Sequence, residues 1–200
     1  MKRRMLLTSV LLAGCSVLPA QPYQQRRDWP LLPRRAEALP PRPNGRTVLL
    51  RTMAAAPGLD ARGIQFLRPD GSLNTDYYEQ WISPPNQAME EGLRRWLSDS
   101  GLFAAVVATG TRVEPGLILE TELTTLVVDT KSLIAHASVA LLLLEPRGET
   151  TRVRLQSTVS GEASATGPDM PAMIAALREA ALLCLSNAEL AVAGALAARR

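Results

Sequence analysis

Three consecutive stretches between Gly116 and Ala163 constrain this chain more than anything else in it: "GLILETELTTLVVD", "SLIAHASVALLLLE" and "TRVRLQSTVSGEA". In the first, Leu117, Leu119, Leu123 and Val127 fall on one side of an extended chain, with Glu120, Glu122 and Thr124 on the other. In the third, Val153, Leu155 and Val159 alternate with Arg152, Arg154 and Gln156. Period-two alternation predicts strands with one dry face. The breaks at Asp129-Thr130-Lys131 and Pro146-Arg147-Gly148 leave room only for turns, so the three strands form an antiparallel meander. Its apolar face must be covered.

The cover is predicted at "PDMPAMIAALREAALLCLSNAELAVAGALAARR", a long helix starting near Asp169 and Pro171. Past Asp169 its charges are few: Arg178, Glu179 and Glu189 before the terminal arginines. A helix so apolar around its girth is deeply buried or partly covered by another subunit. Ala181, Ala188, Ala191 and Gly194 permit close approach. No unbroken apolar run reaches the ~18 residues that mark a membrane-spanning helix.

A second helix is read from "SPPNQAMEEGLRRWLSDSG", with Ser83 as N-cap, Pro84 as first helical residue and Gly101 closing it. Met89, Leu93, Trp96 and Leu97 share its apolar face, and Glu90–Arg94 and Glu91–Arg95 are favourable pairs on the wet one. Residues 46–53 and 102–108 read as strands, and 63–68 with 72–81 as a hairpin about Pro69-Asp70-Gly71. The expected fold class is α+β, an antiparallel sheet with two packing helices, in a single domain over residues 46–200.

The first 45 residues follow different rules. Met1-Lys2-Arg3-Arg4 precedes a short apolar run, and Leu12-Ala13-Gly14-Cys15 ends it. A basic start, a short apolar run and a small pair predict a secretory signal over residues 1–14. The cysteine directly after it resembles the bacterial lipobox, which implies cleavage before Cys15 and acylation of that residue. Ser16, where an aspartate would retain the protein at the inner membrane, implies delivery to the outer membrane. Residues 15–45 hold seven of the fifteen prolines. They read as a lipidated N-terminus and Pro-rich tether of roughly 30 Å as a coil and about 90 Å extended. Trp29, Leu31 and Leu32 are candidates to dock on the domain, and the arginines to lie against anionic headgroups.

Cleavage also removes Lys2, Arg3 and Arg4 and no acid, so 22 basic residues fall to 19, equal to the 19 acidic ones. A neutral mature chain with 4% aromatic residues carries no signature of a nucleic-acid binder. Cys184 then has no second thiol to pair with and reads as a small buried hydrophobe.

Little in the chain suggests catalysis. His136 is the sole histidine and sits mid-strand; Glu120 and Glu122 share a strand face that solvation explains. Asp169 and Glu162 read as cap and surface residues. No motif for a nucleophile elbow, a phosphate loop or a zinc site occurs. No enzyme, cofactor or metal is expected, and a binding role remains.

The lipobox followed by "RTVLLRTMAAAPGLD", "IQFLR", "YYEQWISPP" and "SGLFAAV" resembles the ABC-type transport auxiliary lipoproteins, the PqiC-like group. The piece Tyr77 to Pro85 is the most specific, and the resemblance runs over about residues 46–195. It implies a periplasmic domain tethered by lipid to the outer membrane. It also implies a place beside an ABC ATPase, a permease and an MCE-domain protein that carry lipid between membranes. The MCE protein is then the expected partner, and since some members form rings around it, further copies of the chain are expected partners too. Tyr77, Tyr78 and Trp81 are the candidate contact residues, because aromatics are enriched at interface hot spots. The alternative function is an outer-membrane assembly lipoprotein, of lipopolysaccharide or pilus type, without an ABC partner.

Overall fold

A computed structural model describes residues 24–198. In chain order its elements are β1 (Arg27–Trp29), β2 (Thr47–Leu50), β3 (Ala54–Ala55), β4 (Gly63–Leu67), β5 (Leu73–Trp81), α1 (Pro85–Ser98), β6 (Ala105–Ala108), β7 (Leu117–Asp129), β8 (Ile134–Arg147), β9 (Thr150–Ser164) and α2 (Met170–Ala197).

β7 is the spine. One of its edges pairs antiparallel with β8, and β8 pairs antiparallel with β9, which is the expected meander. Along the other edge three short strands run parallel to β7, end to end: β2 beside Leu117–Leu119, β3 beside Glu122–Leu123, β4 beside Val128–Asp129. β5 then pairs antiparallel with β4, and β6 parallel with β2. The domain is α+β with two helices, but its sheet is mixed, not antiparallel throughout. Parallel neighbours need a crossover, and the segment carrying α1 supplies it.

Within the meander two β-bulges reset the alternation. One, between Leu123 and Thr125, sends Leu126 and Val128 into the core and leaves Val127 on the other face. The other, between Leu143 and Leu144, leaves Val153 exposed and turns Arg154 inward, where its side chain is 7% exposed. An extra residue flips every later side chain to the opposite face, so both residues end up opposite to their expected sides.

Both helices cover one side of this sheet. In α1, Met89, Leu93, Trp96 and Leu97 are buried as expected. The helix begins later than predicted: Pro84 is the cap, extended at ψ 135°, with no side-chain cap bond from Ser83. Pro85 forces that, since a residue before proline is driven out of helical conformation. Glu91 takes both Arg94 and Arg95, while Glu90 turns away to accept the amide of Met53 at 2.7 Å.

α2 starts where expected, with the Asp169 carboxylate accepting the Ala172 amide at 3.1 Å. By length and composition it would suffice to cross a membrane. Here it lies across β9 and β8, burying Ile174, Leu177, Ala181, Cys184 and Leu185. The two backbones meet at Gly161, where a Cβ would stand 2.2 Å from the Ala180 carbonyl oxygen and 2.4 Å from the Cys184 amide nitrogen.

The segment marked by the sequence as a spacer is, from residue 27 on, laid along the domain. β1 adds to the edge of β5 in parallel, and Leu31 is 3% exposed. Pro33 packs on Gly92, Arg35 pairs with Glu189 of α2 at 3.1 Å, and the Leu39 amide donates to the Asp99 carbonyl at 2.8 Å. Prolines deny this strap a ladder of its own, but side-chain burial and single hydrogen bonds hold it across both helices. Trp29 and Leu31 dock; Leu32 does not. Leu31→Ala is therefore expected to cost about 2–3 kcal/mol in denaturant unfolding, against under about 0.5 kcal/mol for its exposed neighbour Leu32→Ala.

Candidate contact surfaces

Of the three aromatics expected to touch a partner, the structure separates one from the other two. Trp81 is 2% exposed and belongs to the core; Tyr77 is 65% exposed and Tyr78 36%. The cause is an irregularity in β5. Gly63 pairs with Gln80 and Gln65 with Thr75, so the four residues Asp76–Glu79 stand opposite Ile64 alone. The Asp76 carboxylate holds this bulge by accepting the amides of Tyr78 (2.7 Å) and Glu79 (2.9 Å). Adjacent residues that would otherwise face opposite sides both reach solvent. Their rings meet edge to face, with centroids 5.1 Å apart, and the Arg26 guanidinium lies 4.2 Å over the Tyr77 ring. Such cation–π contacts contribute ~0.5–1 kcal/mol at exposed sites.

Just below the patch the polar groups satisfy each other. Glu79 is buried and accepts from Arg27 Nε at 2.7 Å and from the Trp29 indole at 2.6 Å. Arg62 donates to the Trp81 carbonyl at 2.7 Å and pairs with Asp28. These contacts fasten β1 to β5. A second exposed surface lies on the outer side of α2, where Leu190 is 66% and Leu183 37% exposed, in a stripe that also holds Ala175, Glu179, Asn187 and Gly194.

The other candidates find structural uses. His136 Nδ1 lies 3.1 Å from Glu162 across the β8–β9 pair, half exposed. Glu120 pairs with Arg51 at 2.7 Å on the sheet's outer face, and Glu122 is exposed. Arg51, Glu120 and Glu122 rim an open groove of about 790 Å³ whose floor includes Ala140 and Leu142; His136 and Glu162 lie outside it. No cluster of three or more His, Cys, Asp or Glu side chains suited to a metal occurs among the described residues.

A buried charge cluster was not anticipated. Glu145, 6% exposed, is met by Arg46 at 2.6 Å, Arg147 at 3.2 Å and Arg154 at 3.7 Å. Burial pushes its carboxyl up, but the Arg46 hydrogen bond and charge, with those of Arg147, outweigh this and hold it below the usual range. A carboxylate so neutralised is a poor base; it ties the start of β2 to the end of β8. The alternation of residues 152–156 concealed it, because Arg154 turns inward only through the bulge.

Cys184 is fully buried, with its thiol 3.6 Å from the Val159 carbonyl. Burial pushes the thiol up from 9.0 to about 12. The folded chain keeps this proton where an unfolded one loses it, so the stabilisation is complete below pH 9 and is lost as pH rises toward 12. Stability should fall by about 1.4 kcal/mol per pH unit above 9 relative to Cys184→Ala, measured by denaturant midpoints. Iodoacetamide should label Cys184 only after unfolding. Cys15, the candidate for lipidation, lies outside the described residues.

Two exposed surfaces are thus defined on the α+β domain, Tyr77 with Tyr78 on β5 and Leu183 with Leu190 on α2; Leu32, Leu39 and Leu73 are exposed singly elsewhere. The chain belongs to the family of ABC-type transport auxiliary lipoprotein components, whose model matches residues 31–185. The match begins inside the strap, at the buried Leu31. Among solved structures, a Xanthomonas campestris protein of the DUF330 family is similar at TM-score 0.69 and 19% identity, over 87% of this chain and 100% of that one. An uncharacterized protein aligns at TM-score 0.61 and 14% identity, over 84% and 98% of the two chains. At these identities the likeness speaks for the fold alone. No curated protein matches the chain.

Proposed function

We propose that this chain is an outer-membrane lipoprotein, facing the periplasm, that serves an ABC transport system of the MCE type by binding its MCE-domain protein, so helping lipid pass between membranes. It turns nothing over itself. Membership in the auxiliary family carries this reading, and the lipobox ending at Cys15 supports its address. One acyl chain anchors marginally, whereas two or more hold a protein stably, so a multiply acylated Cys15 would keep the domain at the bilayer while residues 16–26 set its reach. The exposed face of α2 around Leu183 and Leu190 is the surface assigned to the protein partner or to further copies of the chain.

The test is affinity capture of the C-terminally tagged full-length chain from its native cells in detergent, with mass spectrometry of what accompanies it. An MCE-domain protein should be recovered, should persist when Cys15→Ser removes the anchor, and should be lost with Leu190→Asp. Recovery of outer-membrane assembly factors, with no MCE or ABC component, would replace this reading with the assembly-lipoprotein one.

A further inference from the structure

We infer that the patch formed by Tyr77, Tyr78 and Arg26 is a lipid-facing surface that seats the β5 edge of the domain on the bilayer to which the chain is anchored. This rests on the reading of Cys15 as the acylated residue.

Three observations carry it. The first is reach. Nine peptide units separate Cys15 from Gln24, which at full extension span about 30 Å. Two residues further on, Arg26 stacks on Tyr77. The anchored end of the chain therefore enters the fold at this patch, and a lipid surface is held within that distance of it. Tethering makes the contact intramolecular, so interactions too weak to bind a free domain suffice.

The second is charge. Each carboxylate bordering the patch is engaged: Asp76 by two backbone amides, Glu79 by Arg27 and Trp29, Asp28 by Arg62. Arg26 makes no ion pair among the described residues, so the patch presents one free positive charge beside two phenol rings. That chemistry matches a phosphate-bearing headgroup layer, where tyrosine rings partition to the interface and each nearby arginine contributes ~1 kcal/mol on an anionic surface.

The third is how the patch is made. A regular strand would hide one of two adjacent residues. The Asp76-held bulge forfeits ladder pairing with β4 and thereby exposes both rings at once. Beyond each other, the Tyr77 ring meets the Arg26 guanidinium, and it stays 65% exposed.

The experiment uses the full-length chain, processed and acylated in its host and reconstituted in vesicles of phosphatidylethanolamine and phosphatidylglycerol. A nitroxide is placed at Thr75→Cys, on the exposed part of β5, or at Glu149→Cys, in the turn at the far end of β8. The buried Cys184 stays in place. Collision rates with oxygen, which concentrates in lipid, and with a water-soluble nickel chelate are compared at the two sites. The Thr75→Cys label should favour oxygen and the Glu149→Cys label the chelate. Adding Arg26→Ser, Tyr77→Ser and Tyr78→Ser should bring the first label to the value of the second while the protein still floats with the vesicles. Arg26→Glu alone, at an exposed position away from the core, should shift it in the same direction. A floating protein whose Thr75→Cys label reads as aqueous overturns the proposal and leaves the patch to a protein partner. A protein that does not float, with Cys15 unmodified by mass, overturns the anchor reading and this proposal with it.

Discussion

Gly161→Ala is expected to lose about 2–3 kcal/mol in denaturant unfolding, and Gly161→Val more. The Cβ of alanine would stand 2.2 Å from the Ala180 carbonyl oxygen, 2.4 Å from the Cys184 amide nitrogen and 2.9 Å from the Leu183 Cβ. Two of these three are helix backbone, which cannot rotate away. α2 must lift from β9, and because it covers β8 as well, the lift reaches Ile174, Leu177 and Leu185 on the same buried side. Gly194→Ala is the matched control. It lies in the same helix with nothing within 4 Å of its Cβ, so it should gain ~0.5–1 kcal/mol from helix propensity. Opposite signs for the same substitution in contacting elements would show that Gly161 is set by close approach. Equal effects at the two positions would mean that α2 is not seated as described.

The contrast between these glycines also marks how far the sequence could be read. The stripe Met89, Leu93, Trp96, Leu97 and the cap Asp169 are local patterns, and both helices appear where those patterns put them, α1 starting one residue late at Pro85. The meander was legible for the same reason, since alternation and turn residues are neighbours in the chain. What escaped depends on contacts distant in sequence. The parallel seating of β2, β3 and β4 along β7 leaves no period of its own, because each strand is only two to five residues long. Glu90 leaves its expected helical partner for the Met53 amide, a choice set by how β2 and β3 pass α1. Val127, Val153 and Arg154 were assigned to the wrong faces because a bulge changes phase without a distinctive residue. The strap misled in another way: its five prolines deny it a ladder beyond β1, but they do not exclude burial, and Leu31 lies in the core. Among the candidate contact residues, the clustering of Tyr77, Tyr78 and Trp81 was legible, but their division into core and surface was not, since that division is made by the bulge at Asp76.

Trp81→Ala should accordingly behave as a core deletion, with a loss of about 3–5 kcal/mol and a thermal midpoint lower by roughly 10 °C. The ring is 2% exposed. The backbone of Trp81 is held independently of its side chain: its amide donates to the Arg62 carbonyl at 2.7 Å, and its own carbonyl accepts from Arg62 Nε at 2.7 Å. Alanine keeps both bonds, so the loss measures packing, and it should spread to β1, whose Trp29 lies in register beside Trp81. Tyr77→Ser, four residues earlier on the same strand, removes an exposed ring and its contact with Arg26 and should cost no more than about 1 kcal/mol. The pair decides how any partner experiment on this segment is read. Weakened capture with Trp81→Ala would reflect a smaller folded fraction unless unfolding curves show otherwise. Weakened capture with Tyr77→Ser, at unchanged stability, would report a contact. A Trp81→Ala protein that unfolds like the wild type but fails to bind would mean that the indole leaves the core to meet its partner.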